Sequence, residues 1–281
     1  MYPMTYIRAN LSLFIGIILV SFLIFFGFGV FVSNHSTSRA AYHRPTLLLT
    51  GYGAVSDTFD AMISRAEVKK DSQATVIATI HQNSVSYQGK WHPSDKHPMI
   101  KVVFADNKMS WMDNAKWLNR LLSSLKQKYG IKTFNAIAHS RGSLDLLVAY
   151  GEKHPLKLKR AVFVGAAANG HLGQDDKIGR NYFLKNGQPK YKHQAYADIT
   201  KHKQDFPKGT HVLNLYGNVG NGSDTHVTNV SSQSLYPGLG SRFASYQQKM
   251  IKGKYVSHHW IIRKNGQVRK LALNYIWRSN N

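Results

Sequence analysis

The 281-residue chain contains no cysteine. Disulfide frameworks, thiolate metal sites and cysteine nucleophiles are therefore excluded, while the compartment stays open on this ground alone. Acidic residues are also scarce: 14 Asp plus Glu stand against 37 Lys plus Arg, a formal charge of +23. Such an imbalance points to anionic surroundings or an anionic partner. Nucleic acid is the first partner it suggests, but no zinc-finger, helix-turn-helix or RNA-recognition pattern gathers the scattered basic residues, so nucleic acid is not expected. No HExxH or comparable ligand cluster appears, so no metal is expected, and nothing asks for another cofactor. Internal repeats are absent as well. The hydrophobic share of 43% is ample for the core of one large α/β domain with an appendage.

The appendage is at the start. Leu11 to Val32 holds no charged residue, and as a helix it would span about 33 Å, enough for a bilayer core of roughly 30 Å. The apolar region of a cleaved signal peptide is shorter, about 7–15 residues, so residues 1–32 are expected to be a retained signal anchor. Ser38-Arg39-Ala40 before Ala41 resembles a cleavage site and leaves a released form open. Arg8 precedes the run while Arg39 and Arg44 follow it, so flanking charge does not decide the orientation. The expectation is an N-terminus inside and a domain outside the cytoplasm, where +23 suits an anionic envelope. Residues 33–44 are small and polar and read as a tether. The domain then occupies 45–281.

Within it, apolar runs alternate with helical periodicity. Thr46 to Thr50 reads as a strand ending in Gly51-Tyr52-Gly53-Ala54, either a tight glycine turn or a first catalytic loop, and Ser56 or Asp57 can cap a helix reaching about Ala66. Further strands are expected at 74–80, 99–105, 134–138, 161–164, 212–216 and 244–252, with a hairpin or edge excursion at 84–91. Trp111, Ala115, Leu118, Leu121, Leu122 and Leu125 share one helix face, and Gly130 ends that helix. A helix from Gly142 to Lys153 and a closing amphipathic helix through Val268, Leu271, Ala272, Tyr275 and Ile276 complete the pattern. Strands alternating with helices imply a mostly parallel sheet covered on both faces. Residues from about 166 to 207 are polar with little periodicity, which reads equally as a lid-like insertion or as a solvated surface excursion.

Phe134 to Ser143 reads FNAIAHSRGS. A serine between strand and helix, with small residues two before it (Ala138) and two after it (Gly142), has the spacing of a nucleophile elbow, where strand and helix approach too closely for larger side chains. The same spacing suits an ordinary junction at which Ser140 caps the following helix. Ser140, Asp224 and His258 fall at strand ends in the order nucleophile, acid, base. A serine hydroxyl needs a base to take its proton, and a carboxylate must fix the imidazole tautomer. His139 is a poor base, since neighbours on an extended segment point to opposite sides. His259 competes with His258, and Asp205 precedes the strand that should present the acid, which favours Asp224.

From Pro45 onward the chain resembles the family of bacterial cell-surface, membrane-anchored hydrolases of unknown function within the α/β-hydrolase superfamily. The resemblance rests on LLLTGYGAVSDTF, VVFADN, KYGIKTFNAIAHSRGSLDLLVAY, NLYGNVGNGSDTHVTNVSSQSL and IKGKYVSHHW, with a terminal helix ending in Trp277. It implies an α/β-hydrolase fold, Ser140 as nucleophile, Asp224 as acid and His258 as base, with backbone N–H groups of Tyr52 and Arg141 as oxyanion donors. Thr50 stands where a histidine usually precedes the first-loop glycine, and Ala138 and Arg141 replace the common glycine and methionine. The expected activity is a membrane-tethered serine hydrolase acting on a small-molecule or lipid-like carboxylic ester, with amide or thioester substrates open. The alternative is an inactive hydrolase fold that binds anionic cell-envelope polymers.

Overall fold

Eight strands set the frame of the domain: β1 (Thr46–Leu49), β2 (Thr75–Ile80), β3 (Val85–Gln88), β4 (Met99–Phe104), β5 (Thr133–His139), β6 (Lys157–Val164), β7 (Thr210–Asn218) and β8 (Phe243–Lys252). They belong to a computed structural model that describes residues 42–53, 56–152, 155–253 and 257–278. The sheet order is β3-β2-β4-β1-β5-β6-β7-β8. Among these eight strands only β2 and β3 pair antiparallel, placing the reversed strand at an edge.

Alternation along β1 explains why both faces are covered. Leu47 and Leu49 enter one buried cluster while Leu48 enters the other, because successive side chains on a strand point to opposite faces. The first cluster receives α2 (Trp111–Tyr129), α3 (Gly142–Gly151) and α4 (Gln194–Lys201). The second receives α1 (Asp60–Val68) and α5 (Gly266–Trp277). β1 is therefore buried along its whole length, as a central parallel strand must be. At the far edge β8 buries only Ile251 and exposes Gln247, Gln248, Lys249 and Lys252, polar cover that discourages edge-to-edge pairing.

α2 packs along one face. Ala115, Leu118, Leu121, Leu122 and Leu125 are buried on one face, and each leucine so placed contributes about 1.5–3 kcal/mol of transfer free energy. The Ser110 side chain caps its start by accepting from the Asp113 N–H at 3.1 Å, and Gly130 ends it in the left-handed region at φ 67°.

The segment from 166 to 207 is more ordered than its composition suggests. It includes α4, whose Ala195, Tyr196 and Ile199 are buried, and Trp111 Nε1–H donates to Asp198 Oδ2 at 2.8 Å. Asn169 N–H donates to Ser231 Oγ at 3.0 Å and its side chain accepts from His193 N–H at 2.8 Å. Among the described residues no helix is long and apolar enough to cross a membrane. The expected anchor, Leu11–Val32, and the tether to residue 41 lie outside the described residues.

Candidate active site

β5, β7 and β8 deliver three loops to the C-terminal edge of the sheet, where parallel α/β folds bind ligands. Ser140 directly follows β5 with φ 55°, the left-handed region, which costs a residue with a side chain on the order of 1–2 kcal/mol. The turn is held by Ser140 N–H donating to Val164 O and Ser143 N–H donating to Ser140 O, both at 3.0 Å. Gly142 is needed by contact: a Cβ there would stand 2.5 Å from Thr50 O and 2.8 Å from Leu49 O. The capping alternative for Ser140 is not what forms, since the residue at the helix start is Arg141 and no side-chain capping bond is made there.

The Ser140 hydroxyl lies 2.8 Å from His259 Nε2, and His259 Nδ1 lies 2.8 Å from Asp224 Oδ2. A carboxylate only accepts, so Nδ1 carries the proton and Nε2 is free to accept from the hydroxyl. The second Asp224 oxygen accepts from the backbone N–H groups of His226 at 3.0 Å and Val227 at 2.7 Å. Burial alone would raise the Asp224 pKa. The hydrogen bond and charge of His259 together with the two backbone donors outweigh it and hold the carboxyl below its ordinary value. Gly165 directly follows β6, and a Cβ there would stand 2.9 Å from Asp224 Oδ2 and 3.2 Å from His259 Nδ1.

The expected base therefore requires a correction. His258 is exposed, whereas His259 is 3% exposed and makes both contacts. The reason is a turn at 257–260 in which Ser257 and His259 face inward and His258 faces out. The His259 N–H also donates to Asp224 O at 2.6 Å, which ties that residue's backbone to the acid loop. Two adjacent histidines offer equal chemistry, and nothing in their spacing separates them. The structure brings Ser140 and Asp224 together through His259 and leaves His258 outside these contacts.

Two further histidines frame His259. His139 is fully buried, with Nε2 donating to His259 O at 2.7 Å. Burial, reinforced by His259, pushes its pKa down to about 3, so it is neutral. His226 stacks on the His259 ring, with centroids 4.8 Å apart and planes 20° apart. Its pKa is lowered by burial first and then by His259. Their order, one residue before the serine and two after the acid, is the signal that could have marked them.

A cavity of about 530 Å³ opens over Ser140, with Tyr52, Met109, Trp111, Leu144, Ala195 and Trp260 among its walls. Tyr52 and Arg141 flank it from two loops. Among the described residues nothing accepts a hydrogen bond from either backbone N–H. Nor does any group of three or more His, Asp or Glu among them form a metal-holding cluster.

A family model described as an alpha/beta hydrolase of unknown function (DUF915) matches residues 33–279. The product of lin2722 from Listeria innocua has a similar structure, with a TM-score of 0.76 and 20% identity over 85% of this chain and 96% of that one. A protein of Lactobacillus plantarum WCFS1, provisionally called a cell surface hydrolase, gives a TM-score of 0.70 and 17% identity over 86% and 94%. At such identities the likeness is one of fold. No curated protein matches the sequence.

Proposed function

This chain belongs to that family of alpha/beta hydrolases of unknown function, and from that premise we propose that it is a serine hydrolase cleaving a carboxylic ester through an acyl-enzyme on Ser140. The observation that carries the reading is the unbroken chain of 2.8 Å contacts from the Ser140 hydroxyl through His259 to Asp224. In the reaction Ser140 Oγ attacks the ester carbonyl while His259 Nε2 takes its proton. Asp224 stabilises the imidazolium, and the leaving alcohol receives the proton from Nε2. A water activated by the same imidazole then releases the acid. The tetrahedral oxyanion would lie between the Tyr52 and Arg141 N–H groups, and the lack of another acceptor for either among the described residues supports the assignment. The cavity volume of about 530 Å³ is within the range of small-molecule sites, and apolar walls at Met109, Trp111, Leu144 and Trp260 suit an acyl chain.

The setting belongs to the same proposal. The uncharged run Leu11–Val32 tethers the chain to a membrane, and the net charge of +23 favours an anionic envelope outside the cytoplasm. Protease treatment of intact cells should digest the domain while leaving the apolar segment in the membrane fraction; protection of the domain would place it inside.

Fluorophosphonate labelling tests the chemistry directly. Wild-type protein is expected to take up one label, and Ser140→Ala none, with its thermal midpoint little changed because the hydroxyl lines the cavity and its loss removes only the contact to His259. Folded wild type that neither labels nor hydrolyses short or long acyl esters would leave only the fold.

A further inference from the structure

Arg141, next in sequence to Ser140, is turned back into the protein, its side chain about 10% exposed. Nη1–H donates to Met109 O and Nη2–H to Asn107 O, both at 2.7 Å. The guanidinium face lies 4.7 Å from the centre of the Tyr52 ring. Asp145, one helical turn on, faces Nε with its Oδ1 at 3.8 Å, and Asn114 Nδ2–H donates to the other oxygen at 3.2 Å. One side chain thus spans the loop after β1, the loop after β4 and the start of α3. The Asn107 carbonyl also accepts from Gly53 N–H at 3.3 Å, so the guanidinium and the first loop meet at one acceptor.

We propose that Arg141 is a positioning residue: a clasp that fixes the Tyr52 N–H against its own N–H, so that both meet the oxyanion at once. This rests on the serine hydrolase reading given above. Tyr52 is 57% exposed, and its ring is held where it stacks on the guanidinium. Only a planar fork serves, because two carbonyls and an aromatic ring must be engaged together. Methionine would keep the packing and lose all three polar contacts. Lysine would keep the charge but could not bridge both carbonyls while stacking. Preorganised donors stabilise a transition state because they need not reorient when charge develops.

The test uses the full chain with Arg141→Met, Arg141→Lys and Tyr52→Leu. Short-chain ester kinetics would be read beside the affinity of a boronic acid, which forms a tetrahedral adduct with the serine, and beside amide hydrogen exchange over residues 50–53. In Arg141→Met we expect kcat to fall roughly 10- to 100-fold, less than the loss of a whole oxyanion donor. KM should change by no more than about two-fold, since the ground state does not use these donors. Boronate affinity should fall with kcat/KM, and exchange over 50–53 should accelerate. Arg141→Lys should restore little. Tyr52→Leu keeps the N–H and should add little to Arg141→Met, because both changes remove one contact. An Arg141→Met protein that labels normally and retains kcat, boronate affinity and exchange protection overturns the clasp alone. Failure of wild type to label or hydrolyse overturns the hydrolase reading and the clasp with it.

Discussion

His259 sits between two other imidazoles and a carboxylate, and its contacts to Ser140 and Asp224 make it the residue whose loss should matter most after the serine. His259→Ala is expected to lower kcat by about four to six orders of magnitude, because serine and base act as a unit. His258→Ala should leave turnover near wild type; the reverse result would return the role to His258. Asp145 and His139 bear instead on how stability depends on pH. In the folded chain Asp145 keeps its proton up to about pH 7, burial outweighing Arg141, against 3.8 in the unfolded chain. The folded state therefore binds more protons over that interval, and this contribution to stability falls as pH rises. His139 runs oppositely: its folded pKa is about 3 against 6.5 unfolded, so its contribution rises with pH between those values. The slopes oppose each other from about pH 4 to 6.5. Asp145→Asn removes one of them, so its denaturation midpoint should climb more steeply with pH than that of wild type. Parallel curves would remove Asp145 from the account. Ser140 and Asp224 were legible from chain order, but the choice between His258 and His259 was not. It depends on a turn that a distant backbone contact to Asp224 fixes.

Among the elements, the junction of β1, β5 and α3 is under tight steric control. A Cβ at position 142 would meet the Thr50 and Leu49 carbonyls, which are backbone and cannot rotate away. Gly142→Ala should therefore destabilise the domain by about 1–3 kcal/mol, and should slow fluorophosphonate labelling as Ser140 shifts; unchanged labelling and melting would show that the helix can slide. Tight elements were also the readable ones. β1, β4 and β5 are apolar runs because both faces of a central parallel strand are covered, and α2 repeats its leucines at helical spacing. The first half of β6 was missed because Lys157, Lys159 and Arg160 interrupt its pattern. α4 was missed because only Ala195, Tyr196 and Ile199 mark its buried face, and its position is set by partners such as Trp111, far away in sequence.

For the whole molecule the dominating quantity is charge, which the fold and the contacts among Ser140, His259 and Asp224 leave unexplained. Thirty-seven basic residues against 14 acidic ones, scattered along the chain, make a field rather than a site, so attraction to polyanions should be strong, unspecific and independent of catalysis. The full chain in neutral detergent should be retained on an anionic polymer matrix at low salt and released as salt rises, because the Debye length shrinks from about 30 Å at 0.01 M to about 3 Å at 1 M. Ser140→Ala should elute at the same salt as wild type, since the hydroxyl contributes nothing to the field. Retention that persists at 1 M salt would instead indicate a desolvated, shaped site for the polymer. Different elution of the two proteins would place that site at the cavity over Ser140. Salt-sensitive and equal elution, beside labelling of wild type alone, would separate the two properties: a catalytic pocket that recognises an ester, on a surface whose charge keeps it at an anionic envelope.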